Sequence, residues 1–304
     1  MERALVEWFC HRATKSKRVF VGPGDDAAVF QSESDLSYVA STDMLMDQVD
    51  FLVESQALKD IGRKCLAVNL SDLAAMGAAP RYALVSLALP HGFTVEAAKE
   101  IMEGVQSLAQ EHDTEIIGGD TNRWDQGLAV SITVIGVVPL GKQWTRAGAQ
   151  ADDLLLVTGE LGGSILGRHL RVTPRLDEAQ WLQQWGRVHA AIDISDGLSW
   201  DAWQVAKASS LGLIFYSSKI PVHNDARRLA DETSWTAVQH ALQDGEDFEL
   251  LLTIARDDWE ELQKLWPFET SLTAIGQFDE TKGCWLQDKN GQREVLVPKG
   301  YEHA

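Results

Sequence analysis

Apolar residues recur along this chain with two periods, and the periods alternate. Val95, Ala98, Met102, Val105 and Ala109 follow Thr94 at the three-to-four spacing of an amphipathic helix with a threonine cap. Residues 57–76 read as a second helix, apolar in its second half around Asp72 and stopped by Gly77 with Pro80 beyond. Between and around them lie strand patterns. Ala28-Val29-Phe30 looks like strand, and Tyr38–Thr42 reads as a short strand ending in polar residues. Tyr82–Leu89 is a β run before Pro90, Thr114-Glu115-Ile116-Ile117 leads into Gly118-Gly119-Asp120, and Leu128–Val138 is strongly β-branched.

Pro139-Leu140-Gly141-Lys142 is the expected boundary, dividing residues 1–140 from 141–304. Beyond it, Leu154–Val157 has the pattern of a buried strand, and Thr158–Ser164 that of a glycine-rich turn entering a helix. A strand over His189–Ile194, a helix from Gly197 to about Ser209, and strands at Phe248–Ile254, Leu272–Gly276 and Glu294–Val297 complete the pattern. Both halves mix strand and helix, so the expected fold class is α/β (α+β) in two domains. There is no low-complexity tract or short repeat.

Composition narrows the partners. With 304 residues and 45% hydrophobic side chains the chain can form sizeable cores. A net charge of −18 argues against a nucleic-acid backbone or an anionic membrane as partner. An anionic substrate needs metal ions between it and the acids. No run approaches the ~18 apolar residues of a membrane span. The start, Met1–Phe9, carries acids where a signal peptide is cationic and then apolar. The three cysteines, Cys10, Cys65 and Cys284, give neither a disulfide framework nor a zinc pattern, so a reducing cytoplasm is expected, with Cys65 in a core. The eleven Trp are taken as packing residues.

The acids themselves are the main chemical signal. They cluster at Gly24-Asp25-Asp26, Ser41-Thr42-Asp43, Gly118-Gly119-Asp120-Thr121 and Asp193-Ile194-Ser195-Asp196-Gly197, with Asp72 set inside an apolar stretch one helical turn after Asn69. Two unit charges ~4 Å apart repel by roughly 4 kcal/mol at an effective dielectric near 20. Hard divalent cations remove that cost and prefer oxygen ligands, which suggests a site collecting Mg²⁺. Each acid also has a plain reading: a solvated turn for Asp25-Asp26, an outward carboxylate for Asp72, a helix cap for Asp196. Asp193 and Ser195 would project one way from their strand end and Ile194 the other. Helix-start amides there could hold phosphate. Arg146, in Thr145-Arg146-Ala147-Gly148, is either a phosphate fork or a surface arginine, and Glu246, just before a strand, can point at a ligand. Gly22-Pro23-Gly24-Asp25-Asp26-Ala27 fails as a dinucleotide fingerprint because two carboxylates would face the pyrophosphate. Gly136–Lys142 fails as a P-loop because Gln143 stands where a hydroxyl is needed. The histidines lack ligand spacing, and no nucleophile triad is visible.

In series these motifs resemble the thiamine-monophosphate kinase family. The segments are Gly22–Ala27, Ser41-Thr42-Asp43, Ala67–Gly77, Ile117–Thr121, Thr145–Gly148, Ile192–Leu198 and Gly245–Leu250, in that order, over roughly residues 20–301. The family belongs with aminoimidazole-ribonucleotide synthetase, selenophosphate synthetase and hydrogenase-maturation proteins. The resemblance implies a homodimer in which the N-terminal domain contributes half of a β-barrel and binds ATP and Mg²⁺, while a C-terminal α/β domain completes the cleft. It implies ATP-dependent, in-line phosphorylation of thiamine monophosphate with several Mg²⁺ ions. It implies Asp26, Ser41, Thr42, Asp43, Asp72, Asp120, Asp193 and Asp196 as metal ligands, and Gly119, Asp120, Arg146 and Ser195 as ATP contacts. Glu246 and Tyr301 match positions that contact the thiamine moiety. Asp50, in Gln48-Val49-Asp50-Phe51, stands where many members have a substrate-contacting histidine. An acid there suits a cationic thiazolium but not a bare phosphate. No protein nucleophile or general base is implied, since a phosphate acceptor is already ionised. The alternatives are another ATP-using member with a different acceptor and a non-catalytic nucleotide-binding homodimer. A selenophosphate synthetase is disfavoured because its reactive cysteine beside a lysine in a glycine-rich segment is absent; a two-metal nuclease conflicts with the charge.

Overall fold

The computed structural model describes residues 19–21, 25–31 and 35–301; Gly22-Pro23-Gly24, the N-terminal run with Cys10, and Glu302-His303 lie outside them. Two sheets carry the described residues. The first has six strands: β1 (Val19–Val21), β2 (Ala28–Gln31), β3 (Leu36–Met46), β4 (Ala79–Pro90), β5 (Glu115–Trp124) and β6 (Ala129–Pro139). Their order is β1-β2-β3-β6-β4-β5. Only β4 and β5 run parallel, because a helix crosses between them.

Two helices, α1 (Leu58–Ala75) and α2 (Val95–Glu111), pack on each other and on one face of this sheet. They touch so closely that a Cβ added to Gly62 would lie 1.9 Å from the Ile101 carbonyl oxygen, and one on Gly104 2.0 Å from that of Lys59. Only glycine fits there. Alternation along β3 sends Val39 and Leu45 under the helices and leaves Tyr38, Met44 and Met46 on the outer face. The strand extends well past Thr42 because β6 pairs with it along its whole length.

The second sheet has the order β13-β12-β9-β11-β7-β10-β8, from β7 (Leu154–Thr158), β8 (Val188–Asp193), β9 (Gly212–Tyr216), β10 (Leu250–Ile254), β11 (Leu272–Asp279), β12 (Cys284–Gln287) and β13 (Arg293–Val295). Five helices accompany it: α3 (Leu176–Trp185), α4 (Leu198–Ala208), α5 (Asn224–Glu232), α6 (Ala237–Gln243) and α7 (Trp259–Leu265). Every residue of β7 and β10 is buried, and their side chains divide between two cores. Leu154, Leu156, Leu250 and Leu252 join the core of the first sheet, while Leu155, Val157 and Leu251 enter a separate one with Phe215 and Val205. Helix α1 is the wedge, packing on β3 and β6 on one side and on β8, β10 and α3 on the other.

Two local expectations differ. The glycine-rich turn leads only into a 3₁₀ turn, Ser164–Leu166, because Gly163 and Gly167 bracket it at φ 76° and 128°. At α4 the capping carboxylate is Asp201, which accepts from the amides of Asp196 (3.1 Å) and Gly197 (2.9 Å), not Asp196. Those two amides are therefore engaged within the protein. No helix among the described residues is long and apolar enough to cross a membrane.

Candidate active site

Helix α1 supplies the floor of a cleft between the two sheets. Lys64, Val68 and Asp72 are spaced by four, so they form one stripe along its axis. Val68 and Asp72 line a cavity of about 600 Å³, and Lys64 bonds to a third lining residue, Glu246. Ser71 and Asn69 flank the stripe and hold its neighbours. The Ser71 hydroxyl donates to Asp193 at 2.6 Å, and the Asn69 side-chain oxygen accepts the Asp43 amide at 3.0 Å.

At the Asp72 end, carboxylate oxygens of Asp26, Asp72 and Asp193 all lie within 4.8 Å of one another. They come from the β2 entry turn, from α1 and from the end of β8. Ser41 donates to Asp72. Arg146 donates to Asp26 at 2.6 Å and places its amide against Asp25. Burial pushes the Asp72 carboxyl well above its ordinary range, and Asp43, Asp193 and Asp26 add to the effect. Asp193 is raised to about 7 by burial and then by Asp26, and Asp43 to about 6 by burial and then by Asp50. Asp25 is raised to about 6 by burial and by Asp26, against the pull of Arg146. Burial opposes the charge of Arg146, but Asp26 and Asp25 outweigh it and keep the guanidinium protonated.

The cluster fits a hard divalent cation. Its donors are all oxygen, they converge, and the buried Asp26 Oδ2 accepts no hydrogen bond among the described residues. A cation there would supply the positive charge that these crowded acids lack.

The other end of the cleft is built differently. Lys64, with a fully buried side chain, donates to the Glu246 carboxylate and to the Asp50 carbonyl. Glu246 sits at φ 61° and Phe248 at φ 50°, left-handed conformations costly for such residues. Neighbours hold that loop in place: Asp247 accepts from Gly162 and Arg168, and Arg175 grips Glu249 with two nitrogens. Asp50 turns its own carboxylate onto the Met46 amide at 2.7 Å. The Tyr301 amide donates to the Asp196 carbonyl, bringing the C-terminal segment over the cleft.

Of the residues singled out from sequence, Asp43, Asp50, Asp72, Asp193, Ser195, Asp196, Glu246 and Tyr301 line the cavity. Asp26, Ser41 and Arg146 stand beside it through the bonds just described. Thr42, Gly119 and Asp120 are not brought there within one chain. Thr42 bonds to Thr133 on the outer face of the sheet, at 2.9 Å. Asp120 lies opposite Ser86 on that same outer face of edge strand β5. It stands three strand spacings from β3, about 14 Å. Gly119 packs where a Cβ would lie 1.8 Å from the Val85 carbonyl oxygen. Sequence reasoning missed Lys64, Ser71 and Asp244. Lys64 follows Arg63 and lies one turn after Lys59 and Asp60 in the same helix, so nothing in the chain set it apart from surface charges, and the other two carry no signal either.

Comparison with known proteins adds an independent line. Residues 24–138 match the family described as AIR synthase related protein, N-terminal domain. A thiamine-monophosphate kinase of Rhodopirellula baltica is 40% identical over all of this chain and 98% of its own length. One from Bacillus subtilis is 33% identical over 98% of each. The structure of AaThiL complexed with AMPPCP and TMP superposes with a TM-score of 0.86 at 28% identity, covering 100% of this chain and 97% of that one. The HypE–HypF complex structure, at 19% identity and a TM-score of 0.79, shares the fold.

Proposed function

The chain belongs to the thiamine-monophosphate kinase family, and on that premise we propose that it moves the γ-phosphoryl group of ATP directly onto the phosphate of thiamine monophosphate, giving thiamine diphosphate and ADP. The observation that carries this reading is the cleft itself. One end gathers Asp26, Asp72 and Asp193; the other presents Glu246, held by Lys64, and Tyr301 lines the same cavity from the C-terminal segment. Eight residues of α1 separate Asp72 from Lys64, about 12 Å at the helical rise of 1.5 Å per residue.

Mg²⁺ held by Asp26, Asp72 and Asp193, with Asp43 and Asp196 beside them, would neutralise two anions that otherwise repel. The protein's own part is placement. Ser41 and Ser71 fix the carboxylates, Arg146 keeps Asp26 oriented, and Lys64 fixes Glu246. No side chain needs to take a proton, because the attacking phosphate oxygen is already ionised. Catalysis then rests on orientation and charge compensation. Residues 1–140 supply Asp26 and Asp72 to the metal end, and 141–304 add Asp193 and close the cleft. Cys65 and Cys284, the free buried thiols among the described residues, suit a reducing cytoplasm.

Gly119, Asp120 and Thr42 enter this reading through a second copy of the chain. The outer face of the first sheet exposes Tyr38, Met44, Met46, Tyr82 and Leu84, an apolar surface that a homodimer would cover. Asp120 on edge strand β5 is then offered to the partner's cleft.

Two measurements test the reaction. ADP release should depend on thiamine monophosphate, and a chirally labelled γ-phosphorus should invert. ADP release indifferent to the acceptor, or retention at phosphorus, would overturn direct transfer.

A further inference from the structure

Trp235 stands in the wall of the cleft at the Glu246 end, with 41% of its surface exposed. An indole left open inside a concave site needs an occupant. Its position is held by a chain of contacts rather than by a loose loop. The ring lies 5.4 Å from the imidazole of His240, centre to centre, tilted by 46°. The Trp235 amide donates to Thr233 Oγ1, which meets His240 Nε2 at 2.8 Å. On its other side His240 Nδ1 faces both carboxylate oxygens of Asp244 at 3.0 Å. Asp244 in turn accepts the Gly163 amide at 2.8 Å. A buried histidine and an anchored acid thus present the indole to the cavity.

The charge that faces the cavity is one-sided. Asp50, Asp244 and Glu246 line it, none of its lining residues among the described ones is Lys or Arg, and Lys64, bonded to Glu246, has its side chain fully buried behind it. An aromatic face with acids at its rim attracts a planar cation, because the ring quadrupole and the carboxylates act in the same sense. A neutral ring of equal size gains only the apolar part of that attraction.

We propose that Trp235 is a specificity-determining residue that stacks against a planar, positively charged heteroaromatic ring of the acceptor. The inference rests on the kinase reading above, in which the acceptor carries a thiazolium. The cationic ring lies against the indole, with Glu246 and Asp244 beside it, while the phosphate of the acceptor points along α1 toward Asp72.

The test compares the wild-type chain with Trp235→Leu and Trp235→Phe. Each is assayed with thiamine monophosphate and with the analogue whose thiazolium is replaced by an uncharged thiophene ring. Dissociation constants for both compounds are taken by calorimetry beside the kinetics. Trp235→Leu should raise KM and Kd for thiamine monophosphate by about tenfold, and Trp235→Phe by less, while kcat and the KM for ATP stay within about twofold. The preference for the charged compound over the neutral one should shrink from Trp to Phe to Leu. An unchanged KM and Kd in Trp235→Leu, or an equal loss for charged and neutral compounds, would overturn the assignment. So would a parallel fall in kcat, ATP affinity and melting temperature, which marks a structural role. If the wild-type chain binds thiamine monophosphate without turning it over, the kinase reading fails and the Kd series still decides the role of Trp235. No binding at all overturns both.

Discussion

Lys64 and Glu246 meet across the cleft although 182 residues separate them in the chain. The lysine side chain is fully buried, whereas the glutamate side chain is 31% exposed and can still face a ligand. The pair ties helix α1 to the strained loop before β10. It also fixes the orientation of an acid that lines the cavity.

Lys64→Met should loosen Glu246 more than it damages the core, since methionine fills most of the lysine's volume. We expect KM for thiamine monophosphate to rise more than kcat falls. Stability should drop by roughly 2 kcal/mol, below the usual cost of breaking a buried pair because Glu246 can turn to water. Initial rates and urea unfolding check both, and an unchanged KM would show that Glu246 is held by other groups.

The crowded acids give a pH dependence with a definite sign. Asp193 has an ordinary value of 3.8 and a folded value of about 7, so between those values the folded chain holds a proton that the unfolded chain has lost. Stability is therefore lost as pH rises through this window, and Asp72 acts in the same direction. The metal-free protein should melt at a higher temperature near about pH 5 than near about pH 8. Added Mg²⁺ should restore the loss at the higher pH. Asp193→Asn should flatten the metal-free profile and weaken the response to Mg²⁺. A wild-type melting temperature insensitive to Mg²⁺ at the higher pH would count against the cation site.

If Asp120 serves the cleft of a second copy, two inactive variants should rescue each other. Asp72→Asn disables a chain's own cluster, and Asp120→Asn disables the site it reaches. Mixed and re-equilibrated, half the dimers are hybrids and each hybrid has one intact site, so activity should recover to about a quarter of wild type. No recovery after proven exchange of subunits would place Asp120 outside the partner's site.

Gly62→Ala probes the contact between the helices. The new methyl would overlap the Ile101 carbonyl oxygen at 1.9 Å, and backbone cannot yield as a side chain can. We expect a loss of about 2–3 kcal/mol in unfolding stability, as for overpacking in a filled core. A smaller change than about 0.5 kcal/mol would mean that the helices slide apart at little cost.

Much of this arrangement was legible in the chain. The apolar stretch around Asp72 marked α1, and the acids at strand ends marked the cleft, because a carboxylate amid leucines needs a partner. Position along the chain said nothing of Lys64, whose bond to Glu246 exists only after the sheets pack. Thr42 was read with Ser41 and Asp43 as one ligand group, yet strand alternation sends it to the opposite face. Short strands such as Gly212–Tyr216 and Cys284–Gln287 escaped notice because their pairing partners, not their own pattern, define them. Asp201 outcompeted Asp196 as a cap because its carboxylate reaches back to both free amides.

The stripe on α1 has a consequence for selectivity. A single stiff rod joins the gripping end to the reacting end, so the gap between them does not adjust to the guest. On the proposed reaction, the cleft would measure its acceptor as a caliper does. A guest one phosphate shorter, held at the same grip, would stop short of the acids around Asp72, and one phosphate longer would overrun them.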